Sequence, residues 1–163
     1  MTKIRMTQRQ FALQRAATAA VVAGFLNALL AYVALSDVPE VPIFALVAEH
    51  WNHSLIGALI PRAVLISLLV TLATVWATVR SRAAGTLASP LDPNRPWLSP
   101  TLKIGLTRSL YGFLLVLAIA LLLRVLLPTY TTIPSVWVVV LVALFAAVIA
   151  YVMAYTVILK MAS

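Results

Sequence analysis

The strongest constraint on this chain is a set of four stretches in which charge is almost absent. Residues 16–35 read AATAAVVAGFLNALLAYVAL, and residues 63–79, 110–127 and 136–159 are similarly apolar. A helix that crosses the roughly 30 Å hydrocarbon core of a bilayer needs about 20 mainly apolar residues at about 1.5 Å each, and it can do so because it satisfies its backbone groups internally. The composition agrees, with 63% hydrophobic residues, a mean hydropathy of +1.05 and only 10% charged residues. Soluble domains carry charge on about a quarter of their residues. The expected fold is therefore an all-α integral membrane protein, a four-transmembrane-helix bundle forming one transmembrane domain over residues 1–163.

Charge sets the expected orientation. Lys3, Arg5, Arg9 and Arg15 precede the first span, Arg80, Arg82, Arg95, Lys103 and Arg108 lie around the link between the second and third, and Lys160 ends the fourth. The opposite side carries Asp37, Glu40 and Glu49, with Arg62 and Arg124 at its edge. Positive residues stay on the cytoplasmic side, so both termini and the central link belong there, in a bacterial-type inner (plasma) membrane. Aromatic residues fit the same frame: Trp51, Tyr130 and Trp137 mark the outer boundary, and Trp76, Trp97, Tyr111 and Tyr155 the inner one. The net charge of +8 is thus accounted for by topology, and nucleic acid is not an expected partner. The basic head and the AYVALS stretch resemble a signal peptide, but Asn27 and Tyr32 suit packing inside a retained helix.

Two connections carry features of their own. Residues 81–107 are rich in proline and polar groups, and Pro90, Pro93, Pro96 and Pro100 predict an irregular cytoplasmic loop. Its Arg82, Arg95 and Lys103 suit anionic lipid headgroups, and GTLASP lacks the lysine and spacing of a phosphate-binding loop. On the other side, Pro61 is expected to open the second span, since proline is tolerated in a helix's first turn. Residues 43–60 are then surplus to the span and predict a helix lying in, or re-entering, the outer interface.

Short echoes suggest two copies of one helical hairpin. GFL recurs at 24–26 and 112–114, and IP at 60–61 and 133–134.

Helices in lipid associate through small residues and hydrogen bonds, because lipid tails already satisfy apolar side chains. Ala16, Ala20, Gly24, Asn27 and Ala31 form one such face; Ser67, Thr71, Thr74 and Thr78 a second; Ala143, Ala147, Ala150 and Ala154 a third. These three faces are expected to meet. Asn27 then pairs with the Thr71 or Thr74 hydroxyl, as interhelical glue or as part of a polar path. The third span is leucine-rich all round and is expected to face lipid or another large apolar surface.

Groups able to do chemistry are few. Cysteine is absent, which excludes disulfides, thiolate catalysis and iron–sulfur clusters. Glu49, His50 and His53 are the one histidine and acid cluster, and on a helix their spacing puts them on one face, able to hold a metal with Glu40, Asp37 or a second subunit. HWNH is not HExxH, so no metalloprotease is implied. A single histidine as axial ligand to a haem or chlorin is the remaining cofactor option, and the sequence requires no cofactor. Arg62 and Arg124 lie close enough to the outer interface to snorkel, to pair with Glu49, Glu40 or Asp37, or to bind lipid phosphate or another anion.

The expected function is that of a non-catalytic subunit or scaffold in a larger or homo-oligomeric membrane complex, its partners being the lipid bilayer and other membrane subunits or copies of itself. The alternative is a small oligomeric channel or transporter whose path follows Asn27, Ser67, Thr71, Thr74 and Thr78. A metal- or pigment-binding subunit through His50 and His53 is the third reading. The lack of any acid within the spans counts against a cation-coupled carrier.

Overall fold

The computed structural model describes residues 7–44, 54–84, 98–128 and 131–160. Four long helices, α1 (Gln8–Ala34), α2 (Leu55–Ala83), α3 (Leu98–Leu126) and α4 (Ser135–Lys160), are joined at one end by two short strands, β1 (Glu40–Pro42) and β2 (Thr132–Pro134). All four helices contain a segment long and apolar enough to cross a membrane.

The helix ends follow from local capping. α1 opens with a capping box in which the Gln10 N–H donates to the Thr7 hydroxyl and the Thr7 N–H donates back to the Gln10 side chain. This starts the helix one turn and more ahead of the apolar run and makes Arg9 and Arg15 helical. α2 begins at Leu55 rather than at Pro61, which lies inside it. Two early N–H groups that have no helical partner explain the difference: Gly57 donates to the Ser54 hydroxyl and Ile56 to the carbonyl of Ile43. The surplus assigned to an interfacial helix at 43–60 is therefore divided. Residues 55–60 belong to α2, Ile43 and Phe44 follow β1 without helix, and residues 45–53 lie outside the described residues.

α3 likewise starts earlier than expected, so residues 98–107 are helix and not loop. Pro100, read as a helix breaker, sits in the first turn, where no intrahelical N–H is needed. Of the predicted loop, 81–83 end α2 and 85–97 lie outside the described residues.

The strands pair antiparallel, Val41 opposite Ile133. Ile43 donates to the Thr131 carbonyl and Ser135 to the Pro39 carbonyl. That alternation gives Val41 and Ile133 the mutually bonded position and turns the nitrogens of Pro42 and Pro134 away from the partner strand. Proline therefore costs the ladder nothing, and it blunts both outer edges against further strands. Ile133-Pro134 is thus a strand end while Ile60-Pro61 is helix interior, so the two IP pairs are not equivalent positions.

The helices lie side by side in the order α1, α4, α2, α3. α1 packs antiparallel on α4, and α3 on α2, while α1 barely touches α2 and α3 barely touches α4. Two glycines permit this. A Cβ on Gly24 would lie 3.3 Å from both the Ala143 carbonyl oxygen and the Ala147 Cβ; one on Gly112 would lie 3.3 Å from the Ser67 Oγ and 3.9 Å from the Ala63 Cβ. The expected meeting of the α1 and α4 small-residue faces is observed, with Ala16, Ala31, Ala150 and Ala154 all buried. The hydroxyl face of α2 meets α3 instead, because Gly105 and Gly112 give that helix a slot among its leucines. Val41, Ile43 and Phe44 join Leu55, Leu59, Val138 and Val142 in one core, so the strand clasp is packed into the helix ends. Phe11, Ala12 and Ile158 close the far end of the α1–α4 pair.

Gly24→Leu and Gly112→Leu are each expected to destabilise the fold by about 1–3 kcal/mol through overpacking. Ala17→Leu, on the exposed face of α1, should leave denaturant unfolding in mild detergent unchanged. A neutral Gly24→Leu would show that α1 and α4 do not meet at this distance.

Candidate functional site

α2 carries the largest group of buried polar side chains: Ser67, Thr71, Thr74 and Thr78, all less than a tenth exposed. Three of them are satisfied within their own helix. Ser67 Oγ donates to the Ala63 carbonyl at 2.7 Å, Thr71 Oγ1 to the Ser67 carbonyl at 2.6 Å, and Thr78 Oγ1 to the Thr74 carbonyl at 2.7 Å. A hydroxyl with no water nearby finds the carbonyl one turn back, which is always within reach. Gly105 and Gly112 then press against Thr71 and Ser67 from α3. These hydroxyls are placed as packing groups between two helices.

Asn27 differs from expectation. Its Nδ2 donates to the Ala23 carbonyl at 2.9 Å, not to Thr71 or Thr74. The cause is spacing, since α4 lies between α1 and α2 and packs on both, leaving little direct contact between them. Thr74, unlike its three neighbours, makes no side-chain hydrogen bond among the described residues. Sequence periodicity hid this difference: at 100° per residue Thr74 lies about 60° around α2 from Thr71, enough to leave the α3 contact for the α1 side.

The space between α1 and α2 is a cavity of about 280 Å³, lined by Asn27 and Thr74 among alanine and branched aliphatic side chains. Val22, Leu26 and Leu69, each about half exposed or more, form its open side. It is the one place among the described residues where the predicted polar residues of two helices come together.

The charged residues are distributed differently from a single site. Near the clasp, Arg62 is half-buried in α2. Arg124, in the last turn of α3, lies over the Phe44 ring at 5.8 Å, where both the ring face and the helix C-terminus favour a cation. Glu40 accepts a hydrogen bond from the Thr132 hydroxyl at 2.7 Å, which ties β1 to β2, and Asp37 is exposed. Glu49, His50 and His53 lie outside the described residues. At the far end Lys103 is exposed and Arg82 falls in the last turn of α2, while Arg95 lies outside the described residues. Arg15 and Arg80 stack there on Phe11 and Trp76, at 5.3 and 5.2 Å from the ring centres. In sequence these two arginines stand out only as topology signals; the i, i+4 spacing of each with its aromatic residue is the available sign of the stacking.

Because the Thr71 hydroxyl serves only its own helix, Thr71→Val should change stability by less than about 0.5 kcal/mol, the methyl contact to α3 being kept. An interhelical hydrogen bond would instead cost about 0.6–2 kcal/mol on the same unfolding measurement.

No protein-family model, curated protein or solved structure matches this chain.

Proposed function

We propose that the protein is a multi-pass inner-membrane protein, with both termini and the link between α2 and α3 in the cytoplasm, acting as a non-catalytic subunit or scaffold of a larger or homo-oligomeric complex. The four helices form its transmembrane bundle. The length and hydropathy of the helices support insertion, and the sequence positions of ten of the twelve basic residues, ahead of α1's apolar run, around the α2–α3 link and after α4's apolar run, support the orientation. The opposed glycine contacts support a tandem duplication of one hairpin, in which the leading helix of each copy packs on the trailing helix of the other.

The observation that carries the subunit reading is the outward side of α3. Leu114, Leu115, Leu121, Leu122, Val125 and Leu126 are all exposed on an edge helix whose only large contact among the described residues is with α2. Tight helix contacts within the chain use small residues, so a bulky apolar side of this kind suits lipid or a broad protein surface. A conduit has less to draw on, since Ser67, Thr71 and Thr78 donate to their own helix, and α3 closes off Ser67 and Thr71.

Purification in mild detergent from the native membrane should give a particle of several chains or several copies, by native mass spectrometry. Leu115→Ala with Leu122→Ala should lower the co-recovered material about tenfold while the remaining monomer keeps its melting temperature. Recovery of the unaltered protein as a lone monomer would sink this reading. Reporter fusions at residue 90 and at the C-terminus should both report the cytoplasm.

A further inference from the structure

We propose that the α1–α2 cavity is a binding site for a membrane-soluble, mainly hydrocarbon molecule that carries a hydroxyl group. This rests on the membrane-insertion part of the proposed function and on nothing said there about partners. Three observations support it.

The first is the unspent hydrogen-bonding capacity. Ser67, Thr71 and Thr78 each use the carbonyl four residues back, yet the Thr74 hydroxyl does not, though Thr74 as a residue is 93% buried on the same helix. On the facing helix, the bond from Asn27 Nδ2 to the Ala23 carbonyl fixes which end of the amide is nitrogen, and leaves Oδ1 as an acceptor without a partner among the described residues. Both groups line one cavity. In hydrocarbon no water satisfies them, and a plain acyl chain would leave both orphaned.

The second is complementarity. A hydroxyl both donates and accepts, so one ligand O–H can donate to Asn27 Oδ1 while its oxygen accepts from Thr74 Oγ1. A hydrocarbon has neither function. The rest of the lining is aliphatic, and a volume of about 280 Å³ is at the low end of the range for small-molecule sites. The open side formed by Val22, Leu26 and Leu69 lets a ligand enter sideways from the lipid phase.

The third is asymmetry. Carried along the helices from the two glycine contacts, Asn27 corresponds to Leu115 and Thr74 to Ala154. The scaffold's other half has apolar residues at both places, so the polar pair is not a requirement of the packing that the halves share.

The test uses the full chain in lipid nanodiscs, with farnesol as the probe and farnesene, which lacks the hydroxyl, as its comparison. Farnesol should bind saturably, one per chain, about tenfold more tightly than farnesene, which corresponds to the net worth of the hydrogen bonding. Thr74→Val, nearly isosteric and expected to keep the fold, should reduce farnesol to the level of farnesene without changing farnesene itself; Asn27→Leu should do the same. Equal binding of the two probes, or farnesol binding unchanged in Thr74→Val, would overturn the proposal in favour of ordinary lipid filling. Disulfide capture of Leu26→Cys by a second copy, insensitive to farnesol, would overturn it in favour of a dimer contact. Resistance to alkaline extraction from the membrane, measured separately, tests insertion itself and so distinguishes failure of the underlying reading from failure of the site.

Discussion

Backbone contact at two glycines organises this molecule. Where Gly24 meets the Ala143–Ala147 turn and Gly112 meets Ala63 and Ser67, helices approach so closely that even a Cβ would sit at 3.3 Å from its neighbours. Dispersion contacts and not differential hydrophobicity hold such pairs when the surroundings are themselves apolar. Because each glycine lies on the first helix of one half and faces the second helix of the other, α4 and α2 become the inner helices and α1 and α3 the edges. The gap between α1 and α2 is a consequence of this order, and so is the exposure of the leucines on α3.

The strand clasp is compatible with that order for a related reason. β1 and β2 leave the same end of the helices, and their antiparallel pairing joins the two halves where the edge helices turn into the inner ones. Pro42 and Pro134 are residues that the interior of a ladder would not tolerate. In the structure they occupy the outward nitrogen positions of a two-stranded ladder, which are the positions that tolerate them.

Much of the architecture was legible because hydropathy over twenty residues is a strong signal and small-residue spacing a moderate one. The four helices and the α1–α4 face follow directly from those patterns. Helix starts were not legible, since Pro61 and Pro100 each allow more than one position in or near a first turn, and the deciding groups were Ser54 and the Ile43 carbonyl, one of them distant in sequence. The partner of the α2 hydroxyls was misjudged because leucines in α3 outweighed Gly105 and Gly112 in any average over the helix. For the candidate site, residue types were visible but bonding was not. Asn27, Thr71 and Thr74 all stand out in the sequence as polar groups in an apolar setting, and only geometry separates a satisfied hydroxyl from one that lines an open cavity.

The pairing of α1 with α4 has a consequence for how the chain is made. Synthesis delivers α1 well before its partner α4, with two complete helices and both strands in between. Until α4 is made, Gly24 and its alanines lack the partner they have in the fold, whereas α3 meets α2 as soon as it is complete. The native glycine contacts form between hairpins and not within them. α4 is a keystone, and a chain truncated before Ser135 retains three helices but only one of the two glycine contacts.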